Sequence, residues 1–392
     1  MIPKPHKWWL CSKAPMKSSI MKKIYFIEPS KVKTQHITLI EGYLKCLINS
    51  TKVSKTTKLI FCSSNTTFGC LSESLQSILV HQFIPVMNPE NRFLIIKSIL
   101  EYIVALYYII RKRRGDIVLI TCLLPTTMFM LELTNYLIRF RNVFVVLHGE
   151  LEGLFDLKRQ KISSFGYWIQ QWMFIRNKTS RIQIIVIDDF IKEKLETEFP
   201  EKFTINKINV IHYPIKLSKI KLLTDISRPK ICFIGYDTPN KGYNIFKELS
   251  KLNNKFDFVS IGGGRLYNLT MNTTVIFESS EDYNNAIKSC ELSVLPYTDG
   301  YTCSLSAAAI DSISAGVPIL CSNRKCFLSL QKNLGDRLIT ICNSRLELIN
   351  FITNMKYTPK QEWNQYHNLI LNSKYSEIAV QKSFEVLFTN QG

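Results

Sequence analysis

Short apolar runs alternate with longer amphipathic stretches along most of the chain. The runs are continuously apolar, which is typical of strands that are buried on both faces of a parallel sheet. In the first half they predict strands at Lys23–Glu28, Lys58–Cys62, Asp116–Thr121, Asn142–Leu147, Gln183–Ile187 and Ile208–His212. Helices are predicted between several of these strands, near residues 36–49, 92–113, 125–140, 163–177 and 189–198. The alternation indicates a doubly wound parallel sheet.

The second half repeats the same order of elements. Its predicted strands are Lys230–Gly235, Phe256–Ile261, Leu292–Leu295 and Val317–Leu320, and its clearest helices run from Asn240 to Leu252 and from Ser304 to Ala315. A chain of 392 residues is too long for one ordinary hydrophobic core. The predicted fold class is therefore α/β, with two doubly wound parallel-sheet, Rossmann-like domains that face each other across a cleft.

Composition suggests the domain boundaries. The first domain is predicted at residues 21–213 and the second at 230–372, because the polar, irregular stretch 214–229 is typical of a linker. Residues 373–392 are predicted to form a C-terminal helix. Residues 1–20 are predicted to be a disordered extension, since they lack acidic residues and an apolar core of signal-peptide length. Trp8 and Trp9 among lysines leave an interfacial foot as the alternative.

Three loops of the second domain carry groups that suit an anionic ligand. Each loop follows a strand, and ligands of open α/β sheets bind beyond the carboxyl ends of the strands. Lys241 follows the first strand, Gly262-Gly263-Gly264-Arg265 follows the next, and a polar loop, Asp299 to Ser306, follows the third. Glycines let the backbone approach a phosphate, and cations and helix N-termini attract its charge. For the helix at 304–315, a tightly packed crossover helix is the alternative.

These residues resemble the donor domain of retaining GT-B glycosyltransferases of the family 4 group. The resemblance covers residues 228–325 and rests on Gly235, Lys241-Gly242, Gly262 and Gly264, Pro296-Tyr297 and Gly316-Val317-Pro318. It implies that Lys241 and Arg265 hold the diphosphate of a nucleotide sugar, and that Phe277-Glu278-Ser279 lies near the base. It also implies that residues 373–392 return toward the first domain.

One position departs from the pattern of that family. The family has two glutamates eight residues apart before Gly-x-Pro, and here Cys303 and Asp311 occupy those positions. Asp311 can accept hydrogen bonds from ribose hydroxyls, whereas the Cys303 thiol does not replace a carboxylate. Asp299 and the polar backbone of residues 303–306 are the alternatives for contacting the sugar. The residues predicted to bind the donor are Gly235, Lys241, Gly262, Gly264, Arg265, Phe277, Glu278, Tyr297, Asp299, Cys303, Ser304, Ser306 and Asp311.

The first domain supplies the candidate catalytic residues. The strand Val143–Leu147 runs directly into His148-Gly149-Glu150, so His148 is predicted to face the cleft. His148 could bond a sugar hydroxyl or steady the departing charge, and Glu150 could orient the acceptor hydroxyl or support an oxocarbenium-like transition state. A solvated loop that caps the next helix is the alternative. His36, at the first strand-to-helix junction, is predicted on the acceptor side.

Positive charge is concentrated in the first half. Residues 1–226 carry 33 Lys and Arg against 17 Asp and Glu, a net +16, whereas residues 227–392 carry 17 against 14, a net +3. This asymmetry predicts that the acceptor-side domain docks on an anionic membrane surface, where each Lys or Arg contributes about 1 kcal/mol. Nucleic acid is the rival partner, but no nucleic-acid-binding module is recognisable. The predicted location is cytoplasmic, peripheral on the inner face of the cytoplasmic membrane.

Two further patterns limit the class of protein. The apolar stretch Phe93–Ile110 is interrupted by Lys97 and Glu101, so no membrane-spanning helix is predicted there. Its helical spacing favours a core helix, with a membrane-lying helix as the alternative. The 11 cysteines include no Cys-x-x-Cys pair, and therefore predict neither a disulfide framework nor a zinc site.

The resemblance implies a glycosyltransferase that moves a sugar from a nucleotide diphosphate sugar to a saccharide or lipid-linked acceptor in cell-surface polysaccharide synthesis. The resemblance implies retention at the anomeric carbon. Since the chain has no Asp-x-Asp pair, transfer without a metal or other cofactor is predicted. Another GT-B enzyme, such as a nucleotide-sugar epimerase, and a non-catalytic nucleotide-sugar-binding protein are the alternatives.

Overall fold

In the part of the chain that the structure describes, the strands form two separate seven-stranded sheets, each covered by helices. The computed structural model describes residues 21–30, 37–50, 57–87, 94–149, 151–155, 181–200, 208–217, 228–277, 279–355 and 363–389. The predicted helix at 163–177 and the predicted extension at 1–20 lie outside these ranges. The predicted α/β class with two Rossmann-like, parallel-sheet domains is confirmed.

All seven strands of the first sheet are parallel, in the order β3-β2-β1-β4-β5-β6-β7. Its strands are β1 (Lys22–Ile27), β2 (Thr57–Ser63), β3 (Val80–Phe83), β4 (Ile117–Thr121), β5 (Val143–Leu147), β6 (Ile182–Val186) and β7 (Ile208–Val210). Its helices are α1 (Ile37–Asn49), α2 (Asn65–Gly69), α3 (Glu73–Gln76), α4 (Leu94–Arg111), α5 (Pro125–Ile138), α6 (Glu152–Phe155) and α7 (Asp189–Glu198). Every residue of β4 and β5 is buried, which explains their uninterrupted apolar sequences.

The second sheet has the order β11-β10-β9-β8-β12-β13-β14. Its strands are β8 (Lys230–Ile234), β9 (Asp257–Gly262), β10 (Arg265–Asn268), β11 (Thr273–Ile276), β12 (Leu292–Leu295), β13 (Ile319–Ser322) and β14 (Ile339–Cys342). The helices are α8 (Tyr243–Leu252), α9 (Ser280–Lys288), α10 (Ala307–Ser314), α11 (Lys325–Leu334), α12 (Arg345–Asn354), α13 (Trp363–Leu371) and α14 (Glu377–Thr389). Five strands are parallel, while β10 and β11 extend the edge as an antiparallel hairpin.

The two domains are joined by apolar packing as well as by the chain. The hydrophobic core of the first domain continues into one face of the second sheet, so the domains share one contiguous cluster of buried side chains. The last helix, α14, packs on α1 of the first domain. There Phe384 meets Tyr43 edge-on at 5.2 Å between ring centroids, and Gln381 Nε2 donates to the Asn49 carbonyl at 3.1 Å. These contacts set how the carboxyl edges of the two sheets face each other.

Candidate functional site

The loops at the carboxyl edge of the second sheet pack backbone against backbone. A Cβ atom at Gly242 would lie 1.9 Å from the Pro296 carbonyl oxygen, and one at Gly262 would lie 2.1 Å from the Gly235 carbonyl oxygen. No side chain fits such spaces, so glycine is required at both positions. The loops after β8, β9 and β12 are thereby held together as one surface.

Lys241 lies across this surface. It ends the 3₁₀ turn Pro239–Lys241, and its ammonium passes over Gly235, where an added Cβ would be 2.5 Å from Lys241 Nζ. Burial lowers the pKa of Lys241, and the charge of Asp311 opposes this shift. A cation that has lost part of its water at a strand end interacts strongly with an incoming anion.

Asp311 and Tyr283 face Lys241 from the neighbouring helices. Tyr283 Oη, on α9, donates to Asp311 Oδ2, on α10, at 2.9 Å. Burial raises the pKa of Asp311 to about 6, while the Tyr283 hydrogen bond and the Lys241 charge act in the opposite direction. After burial itself, the Asp311 charge is the main cause that raises the pKa of Tyr213, a buried residue that follows β7 in the first domain. Asp311 therefore faces the other domain.

The raised pKa of Asp311 makes folding stability depend on pH. Because the folded state binds this proton more tightly, the carboxyl stabilises the fold at pH values below about 4, the unfolded pKa. That contribution is lost as the pH rises through 6. The variant Asp311→Asn keeps an acceptor for Tyr283 but does not titrate. We expect its free energy of unfolding, relative to that of the wild type, to increase by about 1–2 kcal/mol when the pH is raised from about 4.5 to about 7.5. Urea unfolding at both pH values measures this, and a constant difference would contradict it.

Arg265 lies at the same sheet edge but in a different setting from Lys241. Its side chain is 55% exposed, and Nη2 is 3.8 Å from Oδ2 of Asp237. Asp237 also accepts a hydrogen bond from Ser260 Oγ at 3.0 Å, so the pair is fixed to β9. Within the described ranges, no three His, Cys, Asp or Glu side chains come together as a possible metal site. The positive groups at this edge include Lys241, Arg265 and Arg324, whose guanidinium donates to the carbonyls of Tyr297 and Thr298 in the loop after β12.

The remaining donor residues near the edge fall on the loops around it. The ring of Phe277 meets that of Tyr283 edge-on at 6.1 Å. Gly264 has a φ of +78° with no atom within 4 Å of an added Cβ, so it lies on an open turn. Asp299 is exposed; its carboxylate accepts from the Gly300 N–H at 2.8 Å, and its own N–H donates to the Asn240 carbonyl at 3.3 Å. Glu278 lies outside the described residues.

Three residues predicted to touch the donor are instead packed inside the protein. The side chains of Tyr297, Cys303 and Ser306 are at most 1% exposed. Tyr297 Oη and Ser306 Oγ are 2.9 Å apart, and Ser306 Oγ accepts from the Ala309 N–H, which caps α10. Burial raises the pKa of the Cys303 thiol. These side chains support the loop after β12 from inside the protein. Because they are buried, a ligand on the outer surface of the loop does not contact them.

Glu152 joins this loop to the first domain. Its Oε1 accepts from the Cys303 N–H at 2.7 Å and from Ser304 Oγ at 2.8 Å, and its Oε2 accepts from Thr302 Oγ1 at 3.1 Å. Hydrogen bonds to an ionised carboxylate are stronger than neutral ones. A carboxylate is thus present at the position where the loop carries Cys303, but it comes from the opposite domain.

A second junction between the domains uses Asp188, at the start of α7. Asp188 caps α7 by accepting from the Phe190 N–H at 3.2 Å. The same carboxylate accepts from Ser329 Oγ, on α11, at 2.6 Å, and from the Tyr375 hydroxyl. The pKa of the next residue, Asp189, is held well below its usual range by its hydrogen bond to His212 and by Lys374. Both acids therefore fasten the second domain and its C-terminal segment to the first.

Of the first-domain candidates, His148 is the one that the structure describes. It follows β5 at the carboxyl edge of the first sheet, and its side chain is 8% exposed. Glu150 and His36 lie outside the described residues. Tyr283, Tyr213 and Glu152 were not among the predicted site residues. The sequence gives one signal for Glu152, which stands four residues after the candidate His148. It gives none for Tyr213 and Tyr283, which lie in ordinary amphipathic stretches.

Comparison with solved structures gives the architecture a context. Sucrose-phosphate synthase from Thermosynechococcus elongatus is similar with a TM-score of 0.67 and 11% identity, over 94% of this chain and 98% of that one. HepE of Anabaena, in complex with UDP-glucose, has a TM-score of 0.57 and 12% identity, over 94% and 99%. The chain has the GT-B fold.

A third similar structure is WaaG, described as a glycosyltransferase involved in lipopolysaccharide biosynthesis. Its TM-score is 0.58 at 10% identity, over 93% of this chain and 99% of that one. No protein-family model matches the chain, and no curated protein matches it. At such identities the likeness shows the fold, and the chemistry has to be argued from this chain's own residues.

Proposed function

We propose that the protein is a glycosyltransferase of the retaining family 4 type. It transfers a sugar from a nucleotide diphosphate sugar to a saccharide or lipid-linked acceptor, in the synthesis of a cell-surface polysaccharide. The observation that carries this proposal is that a largely buried cation, Lys241, lies over Gly235 within electrostatic range of the carboxyl of Asp311, at the edge that faces the first domain. In a nucleotide sugar the diphosphate is the anion that complements Lys241, and the neighbouring ribose hydroxyls are the donors that complement Asp311. HepE, of the same fold, is described in complex with UDP-glucose.

Each residue has a role that follows from its chemistry. Lys241 and Arg265 stabilise negative charge as it grows on the departing diphosphate, which favours the transition state over the ground state. Asp311, oriented by Tyr283, accepts hydrogen bonds from ribose hydroxyls. Retention with the leaving phosphate as the base needs no carboxylate at Cys303, and the two cations supply charge stabilisation without a metal ion. Acceptor-side groups come from the first domain, with His148 and Glu150 as the candidates.

Thermal stabilisation by nucleotide sugars tests the proposal. We expect one or more of the UDP-, GDP- or dTDP-linked sugars to stabilise the protein by about 2.7 kcal/mol when present at a hundred times its dissociation constant. The same donor should then release its nucleoside diphosphate when a suitable saccharide acceptor is added. The measurement is a melting-temperature screen, followed by assay of diphosphate release.

The outcomes separate the competing functions. Stabilisation without transfer to any acceptor would favour a nucleotide-sugar-binding protein. Release of a free epimeric sugar would favour an epimerase. If no nucleotide sugar at millimolar concentration changes the melting temperature, the proposal is wrong.

A further inference from the structure

Helix α4 exposes many large apolar residues to solvent, while its buried side holds two charged residues beside apolar ones such as Val104 and Ile109. Its buried side includes Lys97 and Glu101, which lie 4.0 Å apart, and Glu101 Oε2 also accepts from the Leu124 N–H and Thr127 Oγ1. The opposite side carries Ile95, 69% exposed, in a stripe of aliphatic and aromatic residues at spacings of three and four. In an ordinary surface helix the polar residues would face the water. A large exposed apolar face of this kind is typical of a surface that contacts a partner or a membrane.

The neighbouring helix α5 extends the same apolar surface. Tyr102 Oη and Thr134 Oγ1 are 2.7 Å apart, which ties the two helices together. The charged residue of α5, Glu132, is buried. We call the exposed surface of the pair the α4–α5 face; its large apolar residues, each at least 42% exposed, are Leu94, Ile95, Ile96, Ile99, Ile103, Tyr107, Ile110, Leu133, Tyr136, Leu137 and Ile138. Soluble monomers rarely expose contiguous apolar patches of more than a few hundred Å².

Exposed arginines border this face where both helices end. Asn142 Nδ2 donates to the Arg114 carbonyl at 3.4 Å, so the loops after α4 and α5 are adjacent. The guanidinium of Arg111 lies 5.2 Å from the centre of the Tyr107 ring. The carboxylate in these loops, Asp116, is buried and accepts backbone N–H groups. The exposed arginines of the two loops are Arg111, Arg113, Arg114, Arg139 and Arg141.

We propose that the α4–α5 face is a docking surface for an anionic lipid bilayer. The apolar residues enter the acyl boundary, and the arginines contact the headgroups, as in helices that lie in a membrane interface. A second copy of the chain fits less well, because the face carries five exposed arginines and its own carboxylates are buried. No helix in the described part of the chain is both long and apolar enough to cross a bilayer, so contact is along the surface.

This orientation also places the cleft at the membrane. In a right-handed crossover the helix before a parallel strand begins at the carboxyl edge of the sheet. Leu94, at the start of α4, is therefore near the edge that carries His148, and the face runs from that edge to the arginines. The proposal rests on exposure and charge alone, so it does not depend on the proposed sugar transfer.

Vesicle sedimentation tests the surface. The wild type should bind vesicles containing about 30% phosphatidylglycerol and bind pure phosphatidylcholine at least tenfold more weakly. The triple variant Ile95→Ser, Ile99→Ser, Ile103→Ser should bind the anionic vesicles at least tenfold more weakly than the wild type. The variant Arg113→Gln, Arg114→Gln, Arg139→Gln should lose binding by a similar factor. A matched control, Ile276→Ser with Leu346→Ser, changes equally exposed residues of the second domain and should bind as the wild type does.

Two results would overturn the proposal. One is equal vesicle binding by the wild type and the isoleucine triple variant, with circular dichroism showing both folded. The other is a wild type that does not bind vesicles and is a dimer in light scattering, while the isoleucine triple variant is a monomer. In that case the face is an interface between copies of this chain.

Discussion

Replacing Lys241 with alanine is expected to lower the turnover of sugar transfer about 10²–10³-fold, the usual effect of removing one group that stabilises developing negative charge. The ammonium lies over Gly235 and is largely buried, so its charge is only weakly screened by water. The loss should fall mainly on kcat, because the charge on the diphosphate grows in the transition state. Steady-state kinetics with the donor found in the thermal screen measures it.

The control for this variant is Lys251→Ala. Lys251 is an exposed residue in the last turn of α8, on the helix that follows Lys241. We expect the control to keep wild-type turnover and both variants to keep the wild-type circular dichroism spectrum. Full transfer activity in folded Lys241→Ala would remove the central argument for the proposed site.

Replacing Glu152 with alanine is expected to lower kcat/KM about 10- to 100-fold, which corresponds to about 1.4–2.8 kcal/mol. The change removes the acceptor of three hydrogen bonds from residues 302–304, and it leaves the Cys303 N–H and the Ser304 hydroxyl without that partner. Glu152 acts through the loop, so it is a positioning residue. The loop after β12 and the first domain should then align less well around the donor.

Glu152→Gln makes this prediction specific. Its amide oxygen can still accept from Cys303 and Ser304, and its NH₂ can donate to the Thr302 hydroxyl. We therefore expect the activity of Glu152→Gln to stay within about threefold of the wild type. If the carboxylate were itself a catalytic group, the same variant would lose much more activity. Glu193→Ala, an exposed position on α7, serves as the matched control. Equal loss in the alanine and glutamine variants would mean that the negative charge itself is needed.

Much of the fold was accessible from the order of apolar runs. The strands observed as β1, β4, β5 and β6 begin and end within one residue of the predicted ones, because each is a central strand with a sequence rich in apolar, buried residues. β3, β14 and the β10–β11 hairpin were not predicted. β3, β11 and β14 are sheet edges and β10 lies next to one, and none of these four-residue strands is buried along its whole length. Edge strands are specified by their neighbours more than by their own sequence.

The site could be predicted in part. Glycine positions and the Lys241–Gly242 pair are local signals, since a glycine marks a close approach wherever the chain folds around it. The sequence contains no comparable signal that Tyr297, Cys303 and Ser306 are buried. Their loop contains polar and apolar residues in no regular period, and only the packing of α10 and α11 around it decides which side chains point inward.

By itself the sequence determined two α/β domains, the glycine-lined edge of the second sheet and the position of Lys241 beside it, whereas Asp311 was named only through the resemblance to GT-B glycosyltransferases. The first three follow from short-range rules of strand burial, helix periodicity and backbone freedom. The tertiary structure alone decided that Glu152 holds the loop at Cys303, that Tyr283 orients Asp311, and that α4 shows its isoleucines to the outside. Glu152 and Cys303 are 151 residues apart, and such pairs depend on how two separately folded sheets are oriented, which no local pattern encodes.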